Sequence, residues 1–186
     1  MTKRQPALPR LWLISDARND ARLEAAVCAL PRGSGFIFRH YHLPEPARRA
    51  RFAALARLAR ARGMVLVLAG TPAEARRWGA DGAYGPPALL GRPRGGLRLA
   101  TAHGLRELAQ ARLVCADAAL LSPAFPTRSH PGGAVLGAVR WRALAARAPL
   151  PVIALGGMTA HRARALRCRA WAAIDGLVTT KVRGDS

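Results

Sequence analysis

The chain has 186 residues, 51% of them hydrophobic, and its 30 Lys+Arg against 10 Asp+Glu give a formal net charge of +20. Such length and apolar content exclude a disordered chain and fit a single domain, residues 1–186, with a sizeable core. No apolar run is long enough to span a membrane, and the opening "MTKRQPALPRLWLISD" lacks the apolar stretch of a signal peptide.

Cys28, Cys115 and Cys168 are widely spaced, with no CxxC or Cys/His zinc pattern. The expectation is a reduced, cytoplasmic protein with no membrane partner. Lys3 and Lys181 are the only lysines, so arginine carries the charge. That charge attracts phosphorylated ligands or nucleic acid. Stacking aromatics are scarce and no nucleic-acid motif is present, so any nucleic-acid binding is expected to be nonspecific.

In chain order, short apolar runs alternate with Ala/Leu/Arg stretches. "LWLIS" (11–15) precedes "ARLEAAVCAL", and "GFIFR" (35–39) precedes "PARRARFAALARLARARG". "MVLVLAG" (64–70) leads to "PAEARRWG", and "GAYG" (82–85) leads to "GPPALLGRPRGG", too broken for a full helix. "LRLAT" (97–101) precedes "LRELAQAR", "AALLS" (118–122) precedes "RWRALAARA", and "PVIALGG" (151–157) precedes "AHRARALRCRAW". "IDGLVTT" (174–180) closes the series, with only a few residues after it. The runs have buried-strand length without polar alternation, as parallel strands covered on both faces should. Eight strand–helix alternations predict a compact (β/α)8 TIM barrel with a degenerate helix after strand four and no C-terminal helix. An open doubly wound sheet is the alternative, but no GxGxxG turn follows the first run.

Barrel chemistry sits on the loops after the strands. In order those loops offer Asp16; Arg39, His40, Tyr41 and His42; Ala69 and Gly70; Tyr84; His103; Ser122 to His130; Gly156 and Gly157; and Thr179, Thr180 and Lys181. Barrels often hold phosphate between the last two strand loops, where glycine amides allow close approach and Lys181 adds charge. Asp81, in "GADGAYG", reads as a cap on the turn into strand four. His40, His42, His103 and His130 can share one mouth, although no short spacing on one helix makes them a metal site.

These motifs resemble the thiamine-phosphate synthase family over nearly the whole chain. "LWLISD" is similar to the family's LYLITD, "GADGAYGP" to GADGVHLG, "LATAHGLREL" to SxHxxxE, and "PVIALGGMT" to PVxAIGGI. "SPAFPTRSHPGG" resembles GPVFPTxSKPG and is the most specific match. The resemblance implies a compact barrel joining hydroxymethylpyrimidine diphosphate to a thiazole phosphate with Mg2+ help and release of pyrophosphate. By position it implies thiazole-phosphate contacts at Thr127, Ser129, Gly156, Gly157, Thr180 and Lys181, and diphosphate contacts at Arg39 and His130.

The metal and pyrimidine half departs from the pattern. The family's QLREK reads "IFRHY", so Tyr41 replaces a lysine, and His130 replaces another. The Asn-Asp pair after strand three is Ala69-Gly70, and "AYGPPALLGRPRGG" holds no acid. Asp16 is the one metal candidate left. The sister TenI-like tautomerases have a His where this chain has Pro123, which argues against their chemistry. The resemblance leaves three readings: a synthase-like enzyme of thiamine biosynthesis; a non-catalytic binder or sensor of thiazole phosphate or thiamine phosphate; and nonspecific nucleic-acid binding through arginine.

Overall fold

A computed structural model describes residues 8–91, 95–127 and 134–177. Eight parallel strands close a barrel in the order β1 to β8. They are β1 (Leu11–Ile14), β2 (Gly35–Phe38), β3 (Val65–Ala69), β4 (Gly82–Gly85), β5 (Leu97–Ala102), β6 (Ala118–Leu121), β7 (Val152–Ala154) and β8 (Trp171–Ala173). The helices between them are α1 (Leu23–Ala29), α2 (Glu45–Ala61), α3 (Pro72–Trp78), α4 (Pro87–Leu90), α5 (Leu105–Leu113), α6 (Gly137–Ala146) and α7 (Ala160–Leu166), with a 3-10 turn over Ala17–Arg22 before α1. The broken segment after β4 forms only the four-residue α4, as its prolines and glycines predict.

The continuous apolar runs serve two cores. Trp12, Ile14, Ile37, Val67, Leu99, Leu120 and Ile153 point into the barrel. Their neighbours Leu13, Phe36, Phe38, Leu66, Leu68 and Leu121 point outward and meet the helices. Strict alternation of faces, both apolar, is why the strands show no polar period. Gly35 sits in register with Trp12. A Cβ on Gly35 would lie 2.0 Å from the Trp12 ring, so the missing side chain makes room for the indole inside the barrel.

The turns carry their own hydrogen bonds. Asp81 accepts the Leu66 N–H at 2.8 Å and Asp117 accepts the Arg98 N–H at 2.7 Å, tying the turns before β4 and β6 to the preceding strands. Asp81 is thus a turn-binding residue at the far end from the mouth, as its motif suggests.

The eighth strand is the one element displaced from expectation. It occupies Trp171–Ala173, ahead of the run 174–180. α7 ends at Leu166 because Arg167 turns left-handed (φ 53°). Trp171 then pairs with Ala154 of β7 and Leu11 of β1. The buried Asn19 amide completes the seam, donating to Ile14 O at 3.0 Å and Ile174 O at 2.9 Å. The loop after β8 is therefore Ile174, Asp175 and Gly176. The expectation of no final helix concerns residues 178–186, outside the described ones.

Candidate functional site at the barrel mouth

The C-terminal ends of the strands surround an open cavity of about 920 Å³. Its β6–β7 wall is built on glycine. Gly156 (φ 94°) and Gly157 (φ 60°) follow β7 in conformations that L side chains rarely adopt. Their missing side chains also let the β6 loop close on them. A Cβ on Gly156 would be 2.7 Å from Pro123 Cα, and one on Gly157 would be 2.3 Å from the Pro126 carbonyl oxygen. Backbone bonds from Ala124 N to Leu155 O (2.8 Å) and Phe125 N to Gly156 O (3.1 Å) lock the two loops together. Thr127 is thereby held on the same cavity wall as the glycine pair. Among the described residues the N–H groups of Gly156 and Gly157 make no backbone hydrogen bond.

Arg162 adds charge to this wall. Thr159 caps α7 by accepting the Arg162 N–H at 3.2 Å. That cap aims the arginine back over the turn, where its guanidinium donates to Gly157 O and lies 5.1 Å from the Phe125 ring.

The opposite side is arginine and aromatic. Arg39 and Tyr41, from the loop after β2, and Arg22 line the cavity, with Tyr84 and Thr101 at the strand ends. The Arg39 guanidinium lies 5.5 Å from the Tyr41 ring, and its buried Nε has no hydrogen-bond partner among the described residues. Burial pushes the Tyr84 phenol up to about 12, so it stays a neutral hydrogen-bonding group at neutral pH.

The acids at the mouth are engaged by guanidinium groups. Asp16 caps the 3-10 turn; Arg18 Nε donates to it at 2.9 Å and Arg39 Nη2 stands 3.6 Å away. Burial alone would raise the Asp16 pKa, but the Arg18 hydrogen bonds and the charges of Arg18 and Arg39 outweigh it and hold the carboxyl below its ordinary range. Asp175, on the cavity wall after β8, lies 3.5 Å from Arg18 Nη1. Mg2+ prefers hard oxygen ligands with near-ideal octahedral geometry. Among the described residues no cluster of three His, Cys, Asp or Glu is placed to hold a metal. The two described carboxylates at the mouth, Asp16 and Asp175, both face the Arg18 guanidinium, a setting that does not fit the one or two free carboxylates by which Mg2+ is usually held.

Among the described residues, His103 is the one histidine that lines the cavity. His40 is buried, and its ring stacks on Phe38 with centroids 4.6 Å apart. Its Nδ1 is 2.8 Å from Ser15 Oγ and its Nε2 is 2.8 Å from Asp20 Oδ1. Ser15 Oγ also accepts the Arg39 N–H at 2.8 Å. A neutral imidazole satisfies every link: Ser15 O–H donates to Nδ1, and Nε2–H donates to Asp20. Ser15 is fully buried, so this serine–histidine–aspartate chain braces the backbone at Arg39 and cannot act as a hydrolase nucleophile. His42 is an exposed neighbour of His40, and His103 reaches the cavity with its Nδ1 2.8 Å from Glu107.

Of the residues read from sequence, Thr127, Gly156, Gly157 and Arg39 come together on one cavity, and Asp16 stands beside it. Ser129, His130, Thr180 and Lys181 lie outside the described residues. Sequence reading missed Arg22, Arg162 and Asp175. The Thr159 cap pointed to Arg162, and the Asp16–Asn19 capping box marked the helical turn that carries Arg22.

Fold and mouth define a compact parallel (β/α)8 barrel with glycines and arginines lining the cavity at its mouth. Residues 97–177, from β5 to just beyond β8, match the family model described as Thiamine monophosphate synthase. The barrel is similar to thiamine phosphate pyrophosphorylase from Pyrococcus furiosus, at 21% identity and TM-score 0.73, covering 94% of this chain and 90% of that one. The same enzyme from Bacteroides thetaiotaomicron gives 12% identity and TM-score 0.61, with 95% and 89% covered. The YdjI aldolase from Escherichia coli K12 shares the barrel at 9% identity and TM-score 0.65, with 89% and 75% covered. No curated protein matches the sequence. The family match is confined to the β5–β8 half of the chain, and the solved structures share its barrel fold. No helix among the described residues is long and apolar enough to cross a membrane.

Proposed function

We propose that the mouth binds a phosphorylated thiazole, as a thiamine-phosphate-synthase-like protein of thiamine biosynthesis. The observation that carries this reading is the locked β6–β7 wall. The glycine pair there has N–H groups with no backbone partner among the described residues, Thr127 lines the same wall, and Arg162 is fixed within reach of it. Backbone amides, a hydroxyl and a guanidinium are the donors that hold a phosphate. Ser129, Thr180 and Lys181 extend this set by sequence position.

Coupling to hydroxymethylpyrimidine diphosphate is the finer reading, with Arg39 and His130 facing the diphosphate. A second reading, a non-catalytic binder of thiazole phosphate or thiamine phosphate, draws on a different observation. Tyr41, Ala69 and Gly70 stand where relatives carry a lysine and the Asn-Asp pair, and the acids at the mouth are held by arginines.

A synthase assay of the purified full chain with both substrates, with and without Mg2+, decides between them. Thiazole-phosphate binding without turnover is the result expected of the binder; turnover comparable to an ordinary synthase excludes it. Thr127→Ala and Lys181→Ala should each weaken thiazole-phosphate binding, by about 1–3 kcal/mol for a lost bond to a charged phosphate. Unchanged affinity in both variants would remove the assignment of this wall.

A further inference from the structure

The rim between β2 and β3 is already filled by an internal cation. Arg48, in the first turn of α2, donates through Nε to Arg39 O at 2.9 Å, through Nη2 to Ala69 O, and through Nη1 to Glu74 Oε1 at 3.1 Å. Its guanidinium lies 5.2 Å from the Trp78 ring, 5.6 Å from Tyr41 and 5.9 Å from Phe38. Two strand-end carbonyls and a carboxylate are the hard oxygens a divalent cation would take. Here one planar guanidinium has taken all three, in a half-buried aromatic setting that suits arginine better than a hydrated ion.

Glu74 also fills the space above Gly70: a Cβ on Gly70 would lie 2.4 Å from Glu74 Oε2. Among the described residues, the mouth carboxylates Asp16 and Asp175 face Arg18. Among the described residues, the arginines that line the cavity are Arg22, Arg39 and Arg162.

We infer that this mouth binds its phosphate or diphosphate ligand through fixed guanidinium groups in place of a divalent cation, with Arg48 occupying the oxygens of the β2–β3 rim and Arg39 meeting the ligand's oxygens. The inference rests on the phosphate reading of the mouth given above. It changes what that mouth requires: arginine donors stand ready without ion recruitment, and added Mg2+ competes for the ligand in solution without improving the site.

The test is calorimetric titration of the full chain with inorganic pyrophosphate at near-physiological salt, once in EDTA and once with Mg2+ in excess. The expected result is one-site binding in EDTA that Mg2+ leaves unchanged or weakens. Arg39→Met should lose on the order of tenfold in affinity, as expected for a charge-assisted contact. Arg140→Gln, a charge-matched change on the exposed face of α6, controls for the general positive field and should stay within about twofold. Binding at least about tenfold tighter with Mg2+, still weakened by Arg39→Met, overturns the inference and leaves the phosphate reading standing. One-site binding under neither condition, or equal loss in Arg39→Met and Arg140→Gln, overturns both.

Discussion

Gly157→Ala should be costly in a way that a glycine elsewhere is not. Gly157 sits at φ 60°, where a non-glycine residue costs roughly 1–2 kcal/mol. The new Cβ would also stand 2.3 Å from the Pro126 carbonyl oxygen and 3.1 Å from Phe125 Cβ. Those are backbone and near-backbone atoms, so relief requires the β6 loop to move. Overpacking of this kind typically adds about 1–3 kcal/mol. The total, about 2–5 kcal/mol, corresponds to a fall in Tm of about 4–20 °C for a protein of this size. Gly33→Ala separates the two contributions, because Gly33 has φ 76° and nothing lies within 4 Å of where its new methyl would stand. It should show the conformational cost alone. Thermal unfolding measures both variants, and a phosphate titration of Gly157→Ala should show weakened binding, since Thr127 follows the displaced Pro126. Equal Tm losses in the two variants, with phosphate affinity intact in Gly157→Ala, would refute the close β6–β7 contact as the organiser of this wall.

Acid should destabilise the fold in two stages. Burial holds His40 below its ordinary 6.5 despite Asp20. The unfolded chain therefore binds the extra proton first, and stability is lost as pH falls below that ordinary value. The groups facing His40 are Asp20, Arg51 and His42. His40→Gln should flatten this part of the Tm-against-pH curve; an unchanged slope would show that His40 is not the group responsible. For Asp20, burial works upward, but hydrogen bonds from His40 and Arg51 prevail; for Glu24, the Arg51 hydrogen bond dominates. Both carboxyls are depressed, so their contribution is present above about pH 4 and lost below it. Binding to nucleic acid, measured by fluorescence anisotropy with unrelated duplexes, should fall steeply with salt and show little sequence preference. Tight, selective binding at physiological salt would contradict the small-ligand reading.

The barrel was legible because seven of its strands are runs apolar on both faces, and turn residues such as Asp81 and Gly79 punctuate them. The eighth was misplaced because Trp171–Ala173 is too short to show a period. Its neighbour "IDGLVTT" is richer in β-branched residues, and pairing to β1 and β7 decided the matter. The β6–β7 wall was legible through its glycines and Thr127, whose spacing encodes the turn itself. The arginine side was not. Arg48 meets Glu74, Ala69 and Arg39 across two connections, and no local pattern marks one arginine of an arginine-rich helix as the one that turns inward. His40 misled for a related reason: its partners Ser15 and Asp20 come from the first strand loop, and burial among them is a tertiary fact.

The Asn19 amide ties the first strand to the residue after the last, but the ladder is thinnest on the other side of β8, which has three residues and meets β7 in a single register pair. That seam runs between the glycine wall and Asp175. Breathing of the barrel is therefore expected to begin beside the pocket, with amides of β8 exchanging with solvent before those of β2 or β3. A ligand spanning Gly157 and the loop after β8 would act as a strap across this opening. It would slow exchange there first and raise the stability of the whole barrel with its concentration.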